Sequence, residues 1–232
     1  MARWYRFEVL RRMEENVFVP TINVDSIDKY AHVAESLLKG GIPVMEILQR
    51  SLPGAIPRVH LDAIYQMRCK FPEMLIGAGT VQTAERAQAV IDNGAQFVVS
   101  NLMEPSVIEQ ANLNGVLVIP ATRDDAGVRT ALRLGCHVVK LFIPMPGLDV
   151  QVNIKYLKLY QGTFPAMAFM LTHGVTFATV RECLKAGFPL LAPDGIAPSE
   201  VVEKKEWGEI TRIAQAYVGE VETFRKVAPA LI

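Results

Sequence analysis

The amino-acid sequence predicts an α/β fold, a single (β/α)8 barrel with a short N-terminal helix. Three observations carry that expectation. Short apolar runs alternate with longer segments of helical period over the chain. Most of the runs are apolar through their middles, as strands of a parallel sheet covered on both faces should be. Helix, glycine and strand recur at a step of roughly 20–30 residues, the size of a βα unit. The competing architecture, an open doubly wound sheet, would normally carry a glycine-rich fingerprint after its first strand. The stretch Val19-Pro20-Thr21-Ile22-Asn23-Val24-Asp25-Ser26 has none.

Each element has its own signal. Residues 3–15 have the spacing of a short amphipathic helix, and strand candidates follow at 17–23, 43–51, 75–81 and 96–102. Four more lie at 116–122, 137–143, 166–175 and 189–196, which makes eight. Among the helices, Asp25 or Ser26 can cap the first after the opening strand, and Gly40 and Gly41 end it. Thr83 precedes a helix ended by Gly94, and Glu104-Pro105 opens the next with proline in its favoured first turn. Asp124 or Asp125 heads a helix ended by Gly135, and Thr176 heads one ended by Gly187. No linker or composition break divides the 232 residues, so the whole span 1–232 reads as one domain.

Composition excludes several classes of function. Lys plus Arg equals Asp plus Glu at 24 each, so the net charge is zero. Nothing in that balance attracts nucleic acid or an anionic membrane surface, and little keeps copies of the chain apart. No apolar stretch reaches the roughly 18 residues of a membrane span, and the start lacks a secretory pattern. Cys69, Cys136 and Cys183 stand far apart, with no metal-ligand spacing to His32, His60, His137 or His173. They read as free thiols in a reducing cytoplasm.

In a barrel the chemistry sits where strands end, so the polar residues inside or closing the apolar runs matter most. Lys140 lies among Val138, Val139, Leu141 and Phe142. Apolar surroundings favour the neutral amine, the form that attacks a carbonyl. The structural alternative is a lysine that reaches water from an edge strand. Glu46 interrupts Val44-Met45-Glu46-Ile47-Leu48, where a carboxylate needs a partner or a proton and suits proton transfer. Arg50 falls on the same strand face, roughly 13 Å further along, ready to grip a carboxylate. A structural Glu–Arg pair is the alternative. Thr80 closes Gly77-Ala78-Gly79-Thr80 and Thr172 closes another strand before His173 and Gly174, each offering a hydroxyl to a substrate oxygen.

These residues resemble a known family. Glu46 and Arg50 in MEILQRS, IGAGTV at 76–81, VVKLF at 138–142 and LTHGV at 171–175 occur in its order. The sequence is similar, from about residue 12 to about 200, to the 2-keto-3-deoxy-6-phosphogluconate (KDPG) and 4-hydroxy-2-oxoglutarate (KHG) aldolases. The resemblance implies a class I lyase, commonly trimeric, that needs no cofactor or metal. It implies cleavage of a 2-keto-3-deoxy sugar acid, or a 4-hydroxy-2-keto acid, to pyruvate and an aldehyde. Lys140 then aligns with the Schiff-base lysine and Glu46 with the acid/base glutamate. Arg50 and Thr80 align with groups that hold the pyruvate carboxylate, and Thr172, His173 and Gly174 with the family's T-G-G-I turn.

The departures cluster at the far end of the substrate. His173 replaces a glycine where backbone N–H groups would bind phosphate, and Asp194 in Ala192-Pro193-Asp194-Gly195 would repel it. Ser100-Asn101-Leu102 and Ala121-Thr122-Arg123-Asp124 replace the family's S-P-G and P-G-x-x-T turns. Together they point to a changed aldehyde half, with Arg123 as a new anion contact. Two other functions stay open: a pyruvate-enamine decarboxylase on the same lysine, and a non-catalytic barrel that binds a sugar acid or a partner protein.

Overall fold

The eight apolar runs form parallel strands that close on themselves. The structure, a computed structural model, describes residues 5–49, 58–142, 150–193 and 195–227. It opens with α1 (Arg6–Asn16), β1 (Thr21–Ile22), α2 (Ile27–Lys39), β2 (Val44–Leu48), α3 (Arg58–Lys70) and β3 (Leu75–Gly79). Then come α4 (Ala84–Asp92), β4 (Phe97–Val99), α5 (Pro105–Leu113), β5 (Leu117–Ile119), β6 (Ala121–Thr122) and α6 (Asp125–Arg133). The chain continues through β7 (Val138–Leu141), α7 (Val150–Thr163), β8 (Ala168–Thr172), α8 (Val180–Ala186) and β9 (Leu190–Ala192). It ends in α9 (Ser199–Glu203) and α10 (Trp207–Val227).

Pairing runs in chain order, β1 to β5 in one sheet and β6 to β9 in the other, all parallel. The two sheets are one barrel. Pro120 divides the fifth barrel strand into β5 and β6 because its nitrogen has no hydrogen to donate, yet its carbonyl accepts from Lys140 N–H at 2.9 Å. The seam between β9 and β1 is closed by Val19 N–H to Leu191 O at 2.8 Å and Leu191 N–H to Val17 O at 2.9 Å. This is the (β/α)8 architecture the sequence predicts.

The helix starts follow local chemistry. Ser26, Thr83 and Asp124 cap α2, α4 and α6, each accepting a backbone N–H three residues on. Glu104 accepts from Ser106 N–H, and Pro105 begins α5. The expectation for Thr176 needs correction: α8 begins at Val180, not directly after Thr176. Thr176 N–H donates to Thr179 Oγ1 at 2.9 Å, and that hydroxyl donates to Gly174 O at 2.6 Å. This side-chain turn takes up the residues that would otherwise start the helix.

Two apolar layers result. Outward strand residues such as Met45, Ile47, Ala78, Val98, Val139 and Leu171 pack under the helices. The inward residues Val44, Leu75, Phe97, Leu117, Val138 and Leu190 form a separate cluster with Val9, Leu10 and Met13 of α1. The N-terminal helix therefore closes the barrel at the amino ends of its strands. Cys136 and Cys183 are buried free thiols whose pKa burial pushes up to about 12. Among the described residues no helix is long and apolar enough to cross a membrane.

Candidate active site

The inner cluster fixes which strand residues face the barrel axis. Successive strand side chains alternate faces, so an inward Val44 makes Glu46 and Leu48 inward. By the same count Gly77 and Gly79 follow Leu75, Lys140 follows Val138, and Thr172 follows Met170. Glu46 and Lys140 thus stand on the inner wall, each one alternation beyond a valine of the sealed end. Both are buried, Glu46 fully and Lys140 with 7% of its surface exposed.

Their neighbours are small or apolar. Glu46 is in register with Thr21 and Gly77, and Lys140 with Ala121 and Met170. The glycines of β3 make room: a Cβ on Gly77 would strike the Phe97 ring, and one on Gly79 would strike Glu46 Oε1. The Glu46 carboxyl therefore lies across β3 in space that only glycine leaves. Lys140 Nζ lies 5.4 Å from the centroid of the Phe142 ring, and that ring lies 5.0 Å from the His173 ring. Lysine, phenylalanine and histidine thus form a path along β7 and across to the end of β8.

The strand ends that flank this wall turn sharply. Thr80, half-buried after β3, has φ 62°, and His173 after β8 has φ 63°. Left-handed backbone at a non-glycine residue costs about 1–3 kcal/mol and persists where the surroundings enforce it. Val81 N–H still donates to Val99 O at 3.2 Å, which anchors the chain just past Thr80. Gly174 continues the left-handed turn at φ 73°, next to Thr172, which is buried and in register with Ala192. Arg50 and Asp194 lie outside the described residues.

Three features of this wall are not among the sequence-based expectations. Phe142 bridges Lys140 and His173; it stands two residues after Lys140, so strand alternation alone could have placed it. Gly79 leaves room for Glu46, a relation across strands that no local pattern reveals. Gln82 Nε2 donates to Asn101 Oδ1 at 3.0 Å, tying the exits of β3 and β4 together.

With this geometry in place, comparison with known proteins is decisive. The family model for KDPG and KHG aldolases matches residues 9–213. The chain belongs to the KDPG and KHG aldolase family. That makes it a class I aldolase, a carbon–carbon lyase that works through a Schiff base. It is 27% identical to 2-dehydro-3-deoxy-phosphogluconate aldolase of Haemophilus influenzae, over 91% of this chain and 95% of that one. It is 25% identical to KHG/KDPG aldolase of Escherichia coli K12, over 86% and 90% of the two chains. The solved KDPG aldolase of Legionella pneumophila, with pyruvate captured at low pH as a covalent carbinolamine, superposes with a TM-score of 0.78. That structure is 26% identical to this aldolase and covers 88% of it and 95% of the Legionella chain.

Proposed function

We propose that this aldolase cleaves a 2-keto-3-deoxy sugar acid or a 4-hydroxy-2-keto acid to pyruvate and an aldehyde, with Lys140 as the Schiff-base residue. The observation that carries the reading is the placement of Lys140, buried on the inner wall of the barrel opposite the end that α1 seals. The pyruvate carbinolamine of the Legionella relative supports it.

The chemistry runs in a fixed order. The Lys140 amine attacks the C2 ketone, giving a carbinolamine, and loss of water leaves a protonated imine. Glu46, directly or through water, takes the proton of the C4 hydroxyl as the C3–C4 bond breaks, and the imine accepts the electron pair. The aldehyde leaves. The enamine is then reprotonated at C3 and hydrolysed, which frees pyruvate and restores Lys140. Arg50 and Thr80 hold the C1 carboxylate, while Thr172, His173 and Gly174 face the far end of the substrate. We place the enzyme in the cytoplasm, as one domain over 1–232, and read its assembly as a homotrimer on family resemblance. Light scattering tests that assembly.

The direct experiment is incubation with pyruvate and borohydride, followed by peptide mapping, with Lys140→Ala as control. A reduced adduct on Lys140 that is absent from the variant is the expected result. No adduct, or label scattered over surface lysines, would overturn the assignment and favour a barrel that binds without reacting. Carbon dioxide in place of an aldehyde among the products would assign the decarboxylase reading instead.

A further inference from the structure

Arg123 leaves the sheet beside the site lysine. Ala121 is in register with Lys140, and Phe142 N–H donates to Thr122 O at 3.1 Å. The next residue, Arg123, therefore stands level with Phe142, about 7 Å beyond Lys140 along the strand direction. It lines a cavity of about 230 Å³ whose other walls include Asn101, Leu102, Met103, Ala121, Thr122 and Asp124.

The turn that presents Arg123 is held in place. Thr122 Oγ1 donates to Asp124 O at 2.8 Å, and Asp124 Oδ1 accepts from Gly127 N–H at 2.8 Å. A Cβ on Gly127 would strike Thr122 Oγ1, so the helix approaches the strand end closely only because residue 127 is glycine. The neighbouring carboxylates each have a partner: Asp124, which lines the same cavity, accepts from Gly127 N–H as the cap of α6, and Asp125 pairs with Arg129 at 3.2 Å. Among the described residues Arg123 has no ion-pair partner. Across the cavity, the bond from Gln82 orients the Asn101 amide with its oxygen occupied, which leaves its NH2 group to donate.

We propose that Arg123, with Asn101 beside it, binds an anionic group on the aldehyde half of the substrate and so selects the aldehyde this enzyme handles. The inference rests on the proposed role of Lys140. A 2-keto acid joined through C2 to Lys140 extends C4 and the atoms beyond it toward the strand ends. An anion one or two carbons past C4 then comes within reach of a side chain rooted one residue pair higher. A guanidinium fork accepts carboxylate or phosphate oxygens in pairs, so the shared chemistry is an anionic oxygen group.

The test runs the reaction toward condensation, with pyruvate and three aldehydes: glyoxylate, glyceraldehyde 3-phosphate and uncharged acetaldehyde. In Arg123→Gln the ratio of kcat/KM for the preferred anionic aldehyde over acetaldehyde should fall about 10–100-fold, chiefly through KM. Arg123→Lys should recover part of that ratio. The anionic aldehyde that suffers names the group, glyoxylate a carboxylate and glyceraldehyde 3-phosphate a phosphate. An equal loss for all three aldehydes, or no change in the ratio, overturns the proposal. Borohydride trapping of pyruvate separates it from its premise. Trapping on Lys140 with an unaltered aldehyde preference removes the role of Arg123 alone, whereas no trapping in the unmodified enzyme removes both.

Discussion

The two ends of the barrel are built from the same strands and differ in what those strands point inward. At the amino ends, Val44, Leu75, Phe97 and Val138 meet Val9, Leu10 and Met13 of α1 in an all-apolar plug. One alternation beyond Val44, Leu75, Val138 and Met170 the inward residues become Glu46, Gly77, Lys140 and Thr172, while Val99 and Ile119 continue the apolar wall on β4 and β5. A cavity of about 510 Å³ beside the amino ends of β8 and β9 is walled by Phe164, Met167, Leu184, Phe188 and Phe224, while one of about 230 Å³ at the other end sets Arg123, Asn101 and Asp124 beside Leu102 and Met103. Two residues of strand separate a region that contributes stability from one equipped for chemistry. The sealed end fixes where the strands begin, and the register then fixes where Glu46 and Lys140 stand.

The largest expected effect lies at the open end. Lys140→Met should lower kcat/KM for cleavage by about 10⁴-fold or more, the scale of losing a covalent nucleophile, with the far-ultraviolet dichroism of the fold retained. Retained cleavage would show that the buried lysine has a structural purpose only. Glu46→Gln should cost about 10²–10⁴-fold in kcat, the range of general acid–base catalysis, while pyruvate still becomes trapped on Lys140. Gly79→Ala tests the same carboxylate from the neighbouring strand. Its new methyl meets Glu46 Oε1, so kcat should fall about 10-fold or more, and unchanged kcat would show that the position of that oxygen does not matter.

The opposite end should respond in the opposite sense. Met13 is fully buried in the plug, and Met13→Ala should cost about 2–5 kcal/mol of unfolding free energy through the cavity it leaves. Urea titration measures that loss. At temperatures where the variant stays folded, kcat should be within about twofold of the unmodified enzyme, because stability effects at distant sites act independently. A large fall in kcat with little loss of stability would break the division between the two ends.

Much of this division was legible in the sequence. The apolar middles of the runs mark strands covered on both faces, and helix–glycine–strand recurrence marks the parallel order. Single residues such as Lys140 and Glu46 stood out because a charge inside an apolar run is rare. What local pattern could not supply was the effect of one strand on the next. Pro120 splits the fifth barrel strand in two although Val116-Leu117-Val118-Ile119 reads as continuous with Ala121-Thr122. The start of α8 moves to Val180 because Thr179 bonds back to Gly174, a contact across five residues with no helical period. The left-handed backbone at Thr80 runs against the preference of a β-branched side chain, and that at His173 is uncommon for any residue but glycine. Tertiary packing sets it, and no propensity announces it.

The smallest expected effect is a pH dependence of stability that originates at two buried or partly buried histidines, His137 at the sealed end and His60 near the start of α3. His137, at the foot of β7, lies 4.8 Å from the Phe7 ring of α1, and burial first and the Arg6 charge second hold its pKa below the ordinary imidazole value. His60 on α3 is 5% exposed and is depressed by burial. A lowered folded-state pKa means that the unfolded chain takes up the proton first as pH falls. Stability is therefore full above about pH 6.5, the unfolded value, and declines as pH drops from there through the folded pKa values. Urea midpoints between pH 5 and 8 should show that decline, and the double variant His60→Gln, His137→Gln should flatten it. An equal slope in the variant would move the acid sensitivity to carboxylates, and with it the weak point of the fold away from these two histidines.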